Sequence, residues 1–193
     1  MDDRTVLLVN RGRLLARLTI GWNLVEGLVA VSAGLAARSL ALVGFGLDSF
    51  IELFAGGVVL WHLRGVPEAR ERRALLLIAI SFFALAGYVV AEGIGDLVAG
   101  ERAGESTIGI VLAVVSLAAM PLLAWAKRRT GRQLGNAVIL ADANQTALCS
   151  YLSATLLGGL ILNATVGWWW ADTVAAFGIA AFAIREGWEA WRG

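Results

Sequence analysis

Residues 40–63 read LALVGFGLDSFIELFAGGVVLWHL, a run with two acids and no lysine or arginine. At 1.5 Å of rise per residue, a helix of this length crosses a hydrocarbon layer about 30 Å thick. Asp48 and Glu52 stand four residues apart, so both carboxyls lie on one face of that helix and well inside the layer. Two ionised acids side by side repel, and each is costly in lipid unless something neutralises it. The pair therefore reads as a cation site at which a metal ion and protons compete.

The same length argument gives five more spans around this one, over 18–37, 74–98, 107–126, 136–162 and 170–184. The expected fold is an all-α membrane protein of six transmembrane helices. Composition agrees: 59% of the 193 residues are hydrophobic and the mean hydropathy is +0.74, which excludes a soluble globular domain. A formal charge of +1 leaves no basic field for nucleic acid. The single cysteine, Cys149, excludes an intrachain disulfide and any CxxC motif, although a lone thiol remains a possible metal ligand.

Residues 1–17 have no small-residue cleavage site before the first span and read as a retained cytoplasmic flank, leaving 18–193 as the transmembrane domain. Lysine and arginine gather in this flank, in the joints at 64–73 and 127–133, and at the C-terminus, against only Arg38 and Arg102 on the opposite side. Positive flanks resist translocation, so both termini are expected on the cytoplasmic side of the membrane. Trp168, Trp169 and Trp170 then mark the outer boundary, and Trp188 and Trp191 the inner one.

Glu26, Asp48, Glu52, Glu92, Asp96 and Asp142 fall inside the expected spans, and no lysine or arginine does. Without a resident base, such acids must be protonated, hydrated or neutralised by a bound cation. In the fifth span Asp142, Gln145 and Cys149 follow at i, i+3 and i+7 on one stripe. The second and fifth spans run in opposite directions, which is expected to set Asp48 beside Cys149, Glu52 beside Gln145, and Asp142 a turn nearer the cytoplasm. Carboxylate, amide oxygen and thiolate together suit a divalent transition ion. Glu26 is a candidate extra ligand or proton relay, or else a protonated acid bonded to Asn23 or to a neighbouring helix. Glu92 and Asp96 form either an outer vestibule or a solvated helix end. Asp172 reads as a helix cap and His62 as an interfacial side chain.

A weak repeat is also visible. An offset of 97 residues aligns Ser39 with Asn136, Gly44 with Ala141, Gly46 with Ala143, Asp48 with Gln145 and Glu52 with Cys149. With three spans per half, such a repeat is inverted, the arrangement of many alternating-access transporters. Gly44, Gly46, Gly56 and Gly57, with Ala141, Ala143, Gly158 and Gly159, are expected to permit close helix approach.

SLALVGFGLDSFIE in the second span, LGNAVILADANQTALCS in the fifth and GWWWADTVAAFGIAAFAIREGWEA in the sixth together make the chain resemble the cation diffusion facilitator, or cation efflux, family of divalent-metal/proton antiporters. The resemblance covers nearly the whole chain and implies six helices, alternating access, proton exchange and a homodimer. The family usually places an acid or histidine and then an aspartate four residues later on the second helix, where Asp48 and Glu52 stand. It repeats that pair on the fifth helix, where this chain has Gln145 and Cys149 instead. Most members append a cytoplasmic dimerising domain; with the chain ending at Gly193, a dimer is expected to use membrane helices.

The expected function is divalent transition-metal transport, zinc efflux by proton antiport first. Asp48, Glu52, Asp142, Gln145 and Cys149 are the candidate ligands. Cadmium, cobalt, manganese and iron are alternative substrates. The competing reading is a non-transporting membrane metal-binding or assembly protein of the same architecture. No nucleophile–base pair, haem motif or HExxH sequence points to an enzyme.

Overall fold

A computed structural model describes residues 3–37, 40–64, 68–99, 107–166 and 171–192. These form six α-helices and, among the described residues, no strand: α1 (Asp3–Ala37), α2 (Leu40–His62), α3 (Glu68–Ala99), α4 (Thr107–Leu134), α5 (Ala137–Val166) and α6 (Ala171–Arg192). Trp168, Trp169, Trp170, Arg38 and Arg102 lie outside the described residues, as do the side chains of Asp96 and Asp172. Among the described residues, four helices (α1 to α4) are long and apolar enough to cross a membrane. α5 has the length, at 30 residues, but it carries a polar stripe that faces inward.

The polarity of the bundle is inverted relative to a soluble protein. Leu7, Leu14, Leu18, Val25, Leu28, Val98 and Leu122 are exposed, whereas Glu26, Asp48, Glu52, Ser116, Lys127, Asp142, Gln145 and Thr146 are buried. Only an apolar surrounding makes that distribution stable.

Several helices run beyond the spans expected from hydropathy. α1 begins at Asp3, α4 continues to Leu134 and α6 to Arg192. The segment 127–133, expected as a basic joint, is therefore the last part of α4. Its geometry follows from the residues after it. Gly135 adopts φ 60°, Asn136 N–H donates to the Gly131 carbonyl at 2.9 Å, and Asn136 Oδ1 accepts from Ile139 N–H at 3.0 Å. One glycine thus ends α4 and one asparagine caps α5.

The basic ends meet at one end of the bundle. Arg13 of α1 donates to the carbonyl of Leu63 after α2 at 2.6 Å, Asn136 meets His62 at 3.0 Å, and Arg72 of α3 donates to the Trp191 carbonyl of α6 at 2.7 Å. His62, expected as an interfacial side chain, is buried in this junction. Trp188 and Trp191 are exposed on the last turns of α6, with the Arg192 guanidinium 5.2 Å over the Trp188 ring.

The helices pack most closely as α1 on α2, α4 on α5 and α3 on α6. The 97-residue offset carries over to the helix boundaries, since α2 starts at Leu40 and α5 at Ala137. In the first half Gly34 of α1 presses on the backbone of Val43; in the second, Gly131 of α4 presses on Leu140 at the equivalent place. Gly46 approaches the backbone of Gly27 and Val31, and Gly44 faces Tyr88 and Glu92. Gly57 and Gly158, also expected at close contacts, have nothing within 4 Å of the place a methyl group would occupy.

Two substitutions test this packing. A Gly34→Ala methyl group falls 2.6 Å from the Val43 nitrogen and should cost about 1–3 kcal/mol by overpacking. Gly57→Ala, with open space around it, should instead gain about 0.5–1 kcal/mol from helix propensity. Unfolding of the two variants in detergent with added denaturant gives the opposite signs directly.

Candidate cation site

The site is built where α2 faces α5, with α1 and α4 behind them. Asp48 and Glu52 rise from successive turns of α2 and are both buried. Cys149 of α5, 1% exposed, lies against both carboxyl groups. The expected neighbourhood of Asp48 and Cys149 is therefore present. Besides Cys149, α5 presents Thr146 to Glu52, a residue the expectation did not include. Gln145 turns toward α3 and accepts from Ser81 Oγ at 3.2 Å.

The hydrogen-bond inventory separates these acids into two kinds. Glu26 is bonded by hydroxyls from two other helices, Ser49 Oγ at 3.0 Å and Ser116 Oγ. Of the two expected kinds of partner, the neighbouring helices supply the bonds, while Asn23 donates to the Thr19 carbonyl at 3.0 Å. By contrast, Asp48 Oδ2 and both carboxyl oxygens of Glu52 are buried with no hydrogen-bond partner. Oxygen atoms in that condition are available to a cation or a proton.

The premise that no base lies among the spans is corrected by Lys127. Because α4 continues past residue 126, this side chain enters the bundle, 1% exposed. Its Nζ lies 2.8 Å from Asp142 Oδ2 and donates to Thr146 Oγ1 at 2.8 Å. Asp142, expected as a ligand or entry residue, is thus the partner of an ammonium in this structure. Toward the same end, Arg128 of α4 donates to Asn144 Oδ1 at 2.6 Å, and Asn144 in turn donates to Glu186 of α6.

Sequence reasoning placed Lys127 in a cytoplasmic joint and missed Thr146 and Ser49. A signal for Lys127 was present: it continues the stripe Gly109, Ala113, Ser116, Met120 and Ala124, all buried on one side of α4. Among the described residues, no group of three or more His, Cys, Asp or Glu side chains closes as a metal shell. Asp48, Glu52 and Cys149 are neighbours without forming such a closed shell.

The pattern of the cation efflux transmembrane domain matches residues 16–192. The chain belongs to the cation efflux family. Magnetosome protein MamB of Magnetospira sp. (strain QH-2) is 24% identical over 183 residues, covering 89% of this chain and 61% of that protein. The uncharacterized transporter sll1263 of Synechocystis sp. (strain ATCC 27184 / PCC 6803 / Kazusa) is 25% identical over 183 residues, covering 89% and 59%. The chain therefore spans about three fifths of the length of these curated relatives. Cation efflux proteins are membrane transporters of metal cations, not enzymes, and the helices and polar interior described above fit that class.

The hydroxyl clamp on Glu26 gives a prediction. Ser116→Ala leaves a buried carboxyl oxygen short of its donor and should destabilise the chain by about 1–3 kcal/mol. Ser32→Ala, which removes an exposed bond within α1, should have little effect in the same unfolding assay.

Proposed function

We propose that the chain transports a divalent transition metal, with zinc the leading substrate, in exchange for protons. The observation that carries this reading is the buried pair Asp48 and Glu52, whose unbonded oxygens lie against a thiol. Carboxylate and thiolate donors bind zinc, cadmium or cobalt well. Metal binding requires those donors to give up protons, and metal release lets protons return. Asp48 and Glu52 act as anionic ligands and proton acceptors and Cys149 as the soft ligand. Glu26, held by Ser49 and Ser116, is a relay at the edge of the site. Gln145, bonded to Ser81, is a weak donor that must turn to reach the ion.

The basic end of the bundle is assigned to the cytoplasm of a bacterial inner membrane by the positive-inside rule, with both termini on that side and export as the direction. Family resemblance supports a homodimer associated through membrane helices. The 1–17 flank and the 18–193 transmembrane domain remain one functional unit in this reading.

Proteoliposomes loaded with a pH-sensitive dye test the proposal. Imposing a zinc gradient should move protons in the opposite direction, and Asp48→Asn should abolish both fluxes. Tight zinc binding without flux in the unsubstituted chain would favour the non-transporting alternative. Cys149→Ser should lower the preference for cadmium over manganese by about tenfold in transport competition, because a hard oxygen replaces the soft donor.

A further inference from the structure

We infer that Lys127 is a positioning residue that sets metal preference by withholding Asp142 from the ligand set; this deepens the cation-site reading and rests on it. Lys127 is sealed inside the bundle, with two of its three N–H groups directed to Asp142 Oδ2 and Thr146 Oγ1. The other Asp142 oxygen, Oδ1, is buried with no hydrogen-bond partner. Asp142 and Lys127 both act electrostatically on Glu52, so this carboxyl is close to the site and yet tied to a resident cation. What remains for the substrate is two carboxyls and one thiol, with Gln145 a weak oxygen donor held by Ser81. Such a donor set suits a four-coordinate, borderline-soft ion. A third free carboxylate would shift it toward manganese, which favours oxygen-rich shells of higher coordination.

The repeat argues that the ion pair is not needed to join its helices. At the 97-residue offset, the counterparts of Lys127 and Asp142 are Ala30 on α1 and Phe45 on α2. Both are buried in one apolar cluster, so the first half makes the same kind of helix contact without charge. The glycine contacts at Gly34 and Gly131 keep the two helix pairs in matching register. A buried ion pair adds little stability over a well-packed apolar contact. Its distinctive effect here is on the carboxylate next to Glu52.

The test uses the full chain in lipid nanodiscs, with zinc and manganese binding measured by calorimetry and fold checked by helical circular dichroism. Lys127→Met should raise manganese affinity about tenfold relative to zinc. Lys127→Arg, which keeps the charge, should leave the ratio as it is. Lys127→Met combined with Asp142→Asn should restore the original ratio. A folded Lys127→Met chain with an unchanged ratio overturns the inference. So does a double variant that keeps the raised manganese affinity, or one that loses zinc binding about tenfold, since Asp142 would then be a ligand already. If Lys127→Met does not fold, Lys127→Gln takes its place, with the same expected rise and the same overturning result. Asp48→Asn separates the two readings: zinc binding that depends on Asp48 with an unmoved ratio sinks only the role of Lys127, whereas no zinc binding by the unsubstituted chain sinks both.

Discussion

A charge enclosed by an apolar bundle whose outer faces meet lipid has to be balanced from within the bundle. That constraint orders everything found in the interior of this protein. It is met in two ways. Glu26 takes hydroxyl donors from α2 and α4, and Asp142 takes the Lys127 ammonium. Asp48 and Glu52 are left with carboxyl oxygens that no protein donor satisfies. An unsatisfied buried carboxyl costs free energy, and evolution commonly tolerates that cost where a ligand will later supply the missing partner. The proposed site is therefore the pair of acids that the surrounding helices leave unsatisfied.

Much of this was legible in the sequence because the decisive signals are local. Spacing by four placed Asp48 and Glu52 on one face, and the opposed directions of α2 and α5 brought Cys149 to them. Hydropathy gave the existence of every helix. It failed at the helix ends, because it measures transfer into lipid and not backbone continuity. α4 does not stop where its sequence turns basic; it stops at Gly135, where the left-handed backbone conformation favours a glycine. That difference of a few residues decides whether Lys127 is a cytoplasmic charge or an interior one. The identity of the residue beside Glu52 was also beyond reach. A shift of one position along α5 separates Gln145 from Thr146, and only the rotation of the packed helix chooses between them.

The two halves share a packing scheme but not a chemistry. Equivalent glycines, Gly34 and Gly131, seat α1 on α2 and α4 on α5 in the same register. On that common frame the first half carries Glu26, Asp48 and Glu52. The positions equivalent to these are Leu123, Gln145 and Cys149. Close packing through small residues fixes the backbones, which leaves the inward side chains free to diverge.

The division of donors has a mechanical consequence. Asp48 and Glu52 belong to one helix, four residues apart, so any rigid movement of α2 carries them together. Cys149 belongs to the other half and approaches them only across the α2–α5 contact. An ion held by all three bridges the repeat interface, whereas sliding or tilting α5 against α2 removes the thiol and keeps the carboxyl pair intact. In an inverted repeat such relative motion is the natural way to exchange one access route for the other. On the proposed reading, Cys149 is the ligand whose distance changes with the conformation. On the same reading the paired acids stay together throughout and take up protons when the metal leaves.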